Sequence, residues 1–211
     1  MKKKICKFCK SVHLKKVSAK SCLSKVPEGL IRSNKENFDG FQCLDCKSII
    51  NKYQKIIDYQ SGVYSTNKNY FREKIGYDYT GNLLSYICKN SHYNILEIGA
   101  GEGAVARFLK SKNFNIDVVE PDSNYKEKLK NSLDTVYSNL DLCKKKYDII
   151  YSIGVLEHVH DMDKFIFECK NLLKSDGLLI YQYPNIQSFS SRLCLKKWDM
   201  LFESGHLSIP S

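Results

Sequence analysis

From about residue 80 onward, short apolar runs alternate with stretches of helical periodicity, the pattern of a parallel sheet whose strands and covering helices take turns. Leu83, Leu84, Ile87 and Cys88 mark one face of a first helix, and a strand over Asn94 to Ile98 follows. The pattern then predicts a helix from Ala104 to about Lys110, a strand over Asn115 to Glu120, a helix around Asp122 to Asn131 and a weak strand near Thr135 to Ser138. After a strand over Tyr147 to Ser152 comes the clearest helix, with Met162, Phe165, Ile166, Cys169, Leu172 and Leu173 at i, i+3, i+4, i+7, i+10 and i+11. Asp176-Gly177 breaks that helix before a fifth strand, Leu178 to Tyr183. Five strands with helices between them predict an α/β fold with an open, Rossmann-like doubly wound sheet.

The first part of the chain reads differently. Residues 1 to 60 carry 14 Lys and Arg against 5 Asp and Glu, so nearly all of the formal charge of +10 sits there. The Lys-rich polar stretch Ser11 to Asn37 cannot bury a core of its own. The same region holds Cys6-Lys7-Phe8-Cys9 and Cys43-Leu44-Asp45-Cys46, two CxxC pairs 33 residues apart. Two intervening residues let a tight turn aim both thiolates at one ion, and two such turns close a tetrahedral zinc site. Cys6, Cys9, Cys43 and Cys46 are therefore the expected ligands of a structural Zn²⁺, with His13 and Cys22 as single substitutes. A redox CxxC needs only one pair, at the start of a helix. Four thiolates around Zn²⁺ lower the charge by two, to about +8. The expected organisation is a zinc-ribbon-like module over 1–60, a connector over 61–80 and a larger domain over 81–211. No apolar run approaches the ~20 residues of a membrane span, and nine cysteines without a secretory leader point to the cytoplasm.

Candidate chemistry of the larger domain lies where its first strand ends, at Ile95-Leu96-Glu97-Ile98-Gly99-Ala100-Gly101-Glu102-Gly103. Glycines at alternate positions of a strand-to-helix turn permit positive φ and let a ligand lie on bare backbone before a helix N-terminus. Glu120, at the end of the second strand, is placed to accept hydrogen bonds from ribose hydroxyls. The order Gly99-x-Gly101-x-x-Ala104 also satisfies the dinucleotide fingerprint. Two features favour S-adenosylmethionine instead. Glu97 suits the ammonium of a methionine moiety and sits badly beside a pyrophosphate, and Gly103 occupies a slot that usually has a side chain in a pyrophosphate loop.

ILEIGAGEG, VVEPD, YDIIYSIGVLEHV and GLLIYQYPN resemble the successive motifs of class I S-adenosylmethionine-dependent methyltransferases, over about residues 80 to 211. That likeness implies that Glu97, Gly99, Gly101 and Gly103 line the methionine side, that Glu120 binds the ribose and that Asp122 lies near the adenosine. It also implies a closing helix and antiparallel strand pair after the fifth strand, so the domain is expected to be incomplete at its C-terminal end. The CxxC pairs ahead of such a domain resemble, more narrowly, zinc-containing methyltransferases acting on nucleotide-linked deoxysugars and related surface-polysaccharide enzymes. PNIQSFSSRLCLKKWDMLFESGHL, with Pro184, Asn185, Trp198 and His206, is similar to the part of those enzymes that approaches the acceptor. The resemblance implies a base near His206; His158, just beyond the fourth strand, is the second candidate. The methyl of a sulfonium is already activated, so one well-placed base suffices.

Three functions compete at this level. The first is a small-molecule methyltransferase with a nucleotide sugar as partner. The second is a ribosomal RNA methyltransferase gripping phosphate through its basic zinc module. Against it, the lysines lack interleaved stacking aromatics, and neither an NPPY-like tetrapeptide nor a Pro-Cys or Thr-Cys nucleophile is present. The third is a non-catalytic zinc-ribbon interaction protein. No membrane partner is expected.

Overall fold

The structure, a computed structural model, describes residues 4–20, 37–52, 70–88, 92–203 and 205–211. In chain order its strands and helices are β1 (Leu14–Lys20), β2 (Asn37–Cys43), β3 (Ile49–Asn51), α1 (Tyr70–Ile87), β4 (Asn94–Ile98), α2 (Ala104–Ser111) and β5 (Asn115–Val119). These are followed by α3 (Ser123–Lys130), β6 (Val136–Tyr137), β7 (Tyr147–Ile153), α4 (Met162–Leu172), β8 (Leu173–Gln182), α5 (Phe189–Cys194) and β9 (Ser208–Ile209). They form two compact units, one made of Met1–Ile57, Leu156–Met162 and Tyr183–Ser211, the other of Asp58–Val155 and Asp163–Gln182.

The second unit is the predicted α/β fold. Its sheet has the order β6-β5-β4-β7-β8 with every pair parallel, so the order reverses beside β4. Central strands of such a sheet are covered on both faces and read as continuous apolar runs. Accordingly Ile95, Leu96, Ile98, Val118, Ile149, Ile150 and Tyr151 are buried, and Val105, Leu109, Leu84 and Leu129 from the helices pack in the same core. The edge strand β8 is more exposed and begins earlier than expected: α4 ends at Leu172, Leu173 already pairs with Tyr147, and Asp176-Gly177, instead of breaking the helix, lies within β8 where its register with β7 shifts before running evenly from Leu178 onward. In α4 the stripe of Met162, Phe165 and Cys169 is buried, whereas Ile166 is 40% exposed.

The first unit has a four-stranded sheet of order β1-β2-β3-β9, antiparallel throughout. Its core joins Ala19, Phe38 and Ile49 to Trp198, Leu201, Phe202 and Ile209. Here the structure departs from the expected boundaries of 1–60, 61–80 and 81–211. The tail belongs to the first unit because Ile209 pairs with Ile49 and Ser208 with Ile50, burying Trp198 and Phe202 where the short N-terminal strands lack apolar surface of their own. The connector expected over 61–80 is helical from Tyr70, in α1; its first part, like Cys22, lies outside the described residues.

Candidate functional site

In the second unit the chain leaves β4 at Ile98 and turns through Gly99, Gly101 and Gly103, whose φ angles are 73°, 53° and 71°. These left-handed values explain the glycines. A Cβ on Gly99 would lie 2.5 Å from Val155 Cγ2 and one on Gly103 would collide with Leu129, whereas one on Gly101 would meet nothing within 4 Å. Gly99 and Gly103 are thus dictated by packing, and Gly101 leaves an open backbone face. The turn delivers the chain into α2 with Gly103 as its N-cap and no side-chain cap.

Glu120 follows β5 and ties this turn to the next one. Its Oε2 accepts from Gly101 N at 2.6 Å and its Oε1 from Asp122 N at 2.8 Å. Burial raises its pKa, opposed by these two N–H groups. Asp122 has a structural engagement: its Oδ1 accepts from Asn124 N at 2.9 Å and Tyr125 N at 3.2 Å, capping α3. Glu97 is 3% exposed and accepts a 2.8 Å hydrogen bond from the Tyr151 hydroxyl. Burial pushes its pKa up to about 8, against the lowering effect of Tyr151 and the Ala106 N–H. Glu97 and Tyr151 are register partners on β4 and β7. Sequence reasoning missed Tyr151, and its signal, an aromatic hydroxyl inside an apolar strand, becomes legible only once the register is known.

In the first unit Cys6, Cys9, Cys43 and Cys46 converge, their sulfurs all within 4.8 Å of one another. The Sγ atoms of Cys6 and Cys46, and those of Cys9 and Cys43, are 3.5 Å apart. Four sulfurs around Zn²⁺ at ~2.3 Å stand about 3.8 Å apart, so the donor set fits that ion. The two CxxC turns have the same build. Lys10 N donates to Cys6 O and Lys47 N to Cys43 O, both at 3.0 Å, and Lys10 and Lys47 take positive φ of 62° and 65°. Burial raises the Cys43 thiol, but the Cys46 and Asp45 N–H groups and neighbouring thiols outweigh it and bring the pKa down to about 6. Burial instead pushes Cys6 up to about 12. His13 lies outside the cluster, with its Nδ1 3.3 Å from Asp45.

The fold also brings His158 and His206 together, in the same first unit. Their rings meet edge to face with centroids 5.0 Å apart. His158 Nδ1 bonds Gly205 O and His206 Nδ1 bonds Met200 O, both at 2.8 Å, so each Nδ1 carries the proton. Burial lowers the His158 pKa. Glu157, to which the sequence assigned no role, stands beside them with Oε1 3.8 Å from His206 Nε2.

A family profile described as a methyltransferase domain matches residues 68–211, and the chain belongs to that family. Among curated proteins it is 28% identical over 116 residues to the malonyl-[acyl-carrier protein] O-methyltransferase of Haemophilus influenzae, covering 51% of this chain and 44% of that protein. It is 32% identical over 110 residues to the ubiquinone biosynthesis O-methyltransferase of Rickettsia typhi, covering 44% of each. The matched region spans half or less of the length of these relatives. Among solved structures, coclaurine N-methyltransferase bound to N-methylheliamine and SAH overlaps 62% of this chain and 44% of its own, at 21% identity and a TM-score of 0.45. An S-adenosylmethionine-dependent methyltransferase from Clostridium acetobutylicum overlaps 56% and 54%, at 16% identity and a TM-score of 0.47.

Proposed function

We propose that this chain is an S-adenosylmethionine-dependent methyltransferase acting on a small-molecule acceptor, with a structural Zn²⁺ on its four cysteines. The observation that carries the cofactor reading is the turn after β4, where Gly101 has positive φ, open space in place of a Cβ and its amide on Glu120. Membership of the methyltransferase domain family supports the same reading. The cofactor supplies a methyl already activated on a sulfonium.

The chain's own residues supply position and charge. Gly101 offers bare backbone before the N-terminus of α2 in a turn that Gly99 and Gly103 shape, and Glu120 holds the turn while offering carboxylate lone pairs to ribose hydroxyls. Glu97, largely neutral when buried alone, ionises to meet an ammonium group. Asp122 orients α3 on the adenosine side. His206, with His158 beside it, handles the proton of the acceptor. The acceptor is a nucleotide-linked sugar or surface-polysaccharide precursor in this reading, which rests on the four-thiol module and on the segment from Pro184 to His206. The relatives' names speak instead of a carrier-protein ester and ubiquinone biosynthesis.

Calorimetry with S-adenosylhomocysteine tests the cofactor. Binding is expected, weakened at least tenfold by Glu120→Ala; binding of NADH with none of S-adenosylhomocysteine would overturn the reading.

A further inference from the structure

We infer that Glu157, His158 and His206 form a second metal site, for a zinc-class divalent transition ion, separate from the four-thiol cluster. One potential ligand atom from each of the three residues lies within 4.8 Å of the others. Three such ligands at ~2.1 Å around one ion stand about 3.4 Å apart, so binding would draw these atoms together by at most about 1.4 Å.

Three observations carry the inference. First, Glu157 is 2% exposed, and its Oε2 is buried with no hydrogen-bond partner among the described residues. A buried carboxylate oxygen left in that state costs free energy unless something cationic or proton-bearing meets it. Second, both histidines give Nδ1 to backbone carbonyls, Gly205 O and Met200 O. That second contact is what metal-binding histidines ordinarily make, since it sets the tautomer, fixes the ring and leaves Nε2 as the ligand atom. His206 Nε2 is turned toward Glu157 Oε1, 3.8 Å away. Third, the backbone carrying these residues is held from several sides. Leu207 N donates to Glu157 O at 2.8 Å, and Asn51 Nδ2 donates to His206 O at 3.1 Å. The 3-10 turn Leu156–His158 and the segment before β9 are therefore fastened together before any ion arrives.

Donor chemistry selects the ion. Two imidazoles and one carboxylate suit zinc and its neighbours and offer too few oxygens for Ca²⁺ or Mg²⁺. The contrast with the four cysteines is functional. Four thiolates close a site, whereas three protein ligands leave a position for water or an acceptor hydroxyl, whose pKa the ion lowers. The inference rests on the cluster alone and not on the methyltransferase reading. Where both hold, His158 and His206 serve the acceptor as metal ligands rather than by taking its proton directly.

The test uses the full chain loaded with Zn²⁺ and freed of excess, with zinc counted before and after an organomercurial thiol reagent. One equivalent is expected to resist the thiol reagent and to be removed by dipicolinate. Glu157→Gln and His158→Asn should each weaken this equivalent at least tenfold while the thiol-releasable zinc stays bound, which reports an intact first unit. A tenfold excess of Mg²⁺ should not displace it. The inference is overturned if all bound zinc leaves with the thiol reagent, or if the resistant equivalent is unchanged in both variants. Should Glu157→Gln fail to fold, the wild-type count and His158→Asn decide.

Discussion

The protonation of Glu97 links the buried acid beneath the glycine turn to cofactor binding. Its pKa of about 8 in the free protein, against an ordinary 4.5, comes mainly from burial. At pH 7 the group is then about nine-tenths protonated. If it neutralises the ammonium of the cofactor, it must ionise on binding, and about 0.9 proton should leave per S-adenosylhomocysteine bound at pH 7. The release should fall to about half at pH 8 and about 0.1 at pH 9. Calorimetry in phosphate and in Tris reads this directly, because the observed enthalpy shifts with the ionisation enthalpy of the buffer in proportion to the protons released. Glu97→Gln keeps an acceptor for the Tyr151 hydroxyl but should abolish the buffer dependence, and losing one hydrogen-bonded charge contact should weaken binding about 10- to 100-fold. The same pKa sets a stability signature. Between an unfolded value near 4.5 and a folded value near 8 the folded chain holds more protons, so stability falls as pH rises through that window, by on the order of 5 kcal/mol in all. Thermal unfolding of Glu97→Gln should lack that fall. Buffer-independent enthalpy at pH 7 with binding intact would refute the assignment of Glu97 to the ammonium.

Gly101→Ala and Gly103→Ala should separate binding from folding. Alanine at 101 meets open space, so its stability cost should stay near ~1 kcal/mol from positive φ while S-adenosylhomocysteine affinity drops at least tenfold; alanine at 103 collides with Leu129 and should cost about 2 to 4 kcal/mol in denaturant titrations. Glu120→Ala removes the acceptor of the Gly101 and Asp122 amides, so it should lower the melting temperature as well as the affinity. The thiol reagent should release one equivalent of zinc from the four cysteines, and Cys43→Ser should abolish that equivalent and unfold the first unit, since zinc in small modules contributes about 10 to 16 kcal/mol. A thiol-released count near zero would sink the four-thiolate site.

Two kinds of information were readable from local pattern. Buried parallel strands must be apolar runs, so β4, β5 and β7 announce themselves within a residue or two, and the turn chemistry of Gly99 to Gly103 shows in the residues alone because three left-handed φ values in one short turn favour glycine. The two CxxC turns are equally local, each closing on itself through a bond from the residue after its second cysteine. The spacing anticipated that the four cysteines converge, but not that β1 and β2 pair between the two turns. What periodicity could not show is any pairing between distant segments. Nothing local in Ser208 and Ile209 reveals that they complete a sheet begun at Leu14. The fastening of that tail carries His206 to Glu157 and His158, nearly 50 residues earlier, and turns an ordinary Glu-His pair into a three-residue cluster in which Glu157 and His206 are buried and His158 is partly so. Likewise, only the β4–β7 register places the Tyr151 hydroxyl on Glu97. Local backbone chemistry is written in neighbouring residues, whereas the pKa of a buried acid and the donor set of a metal site depend on desolvation and on partners that only the folded chain assembles.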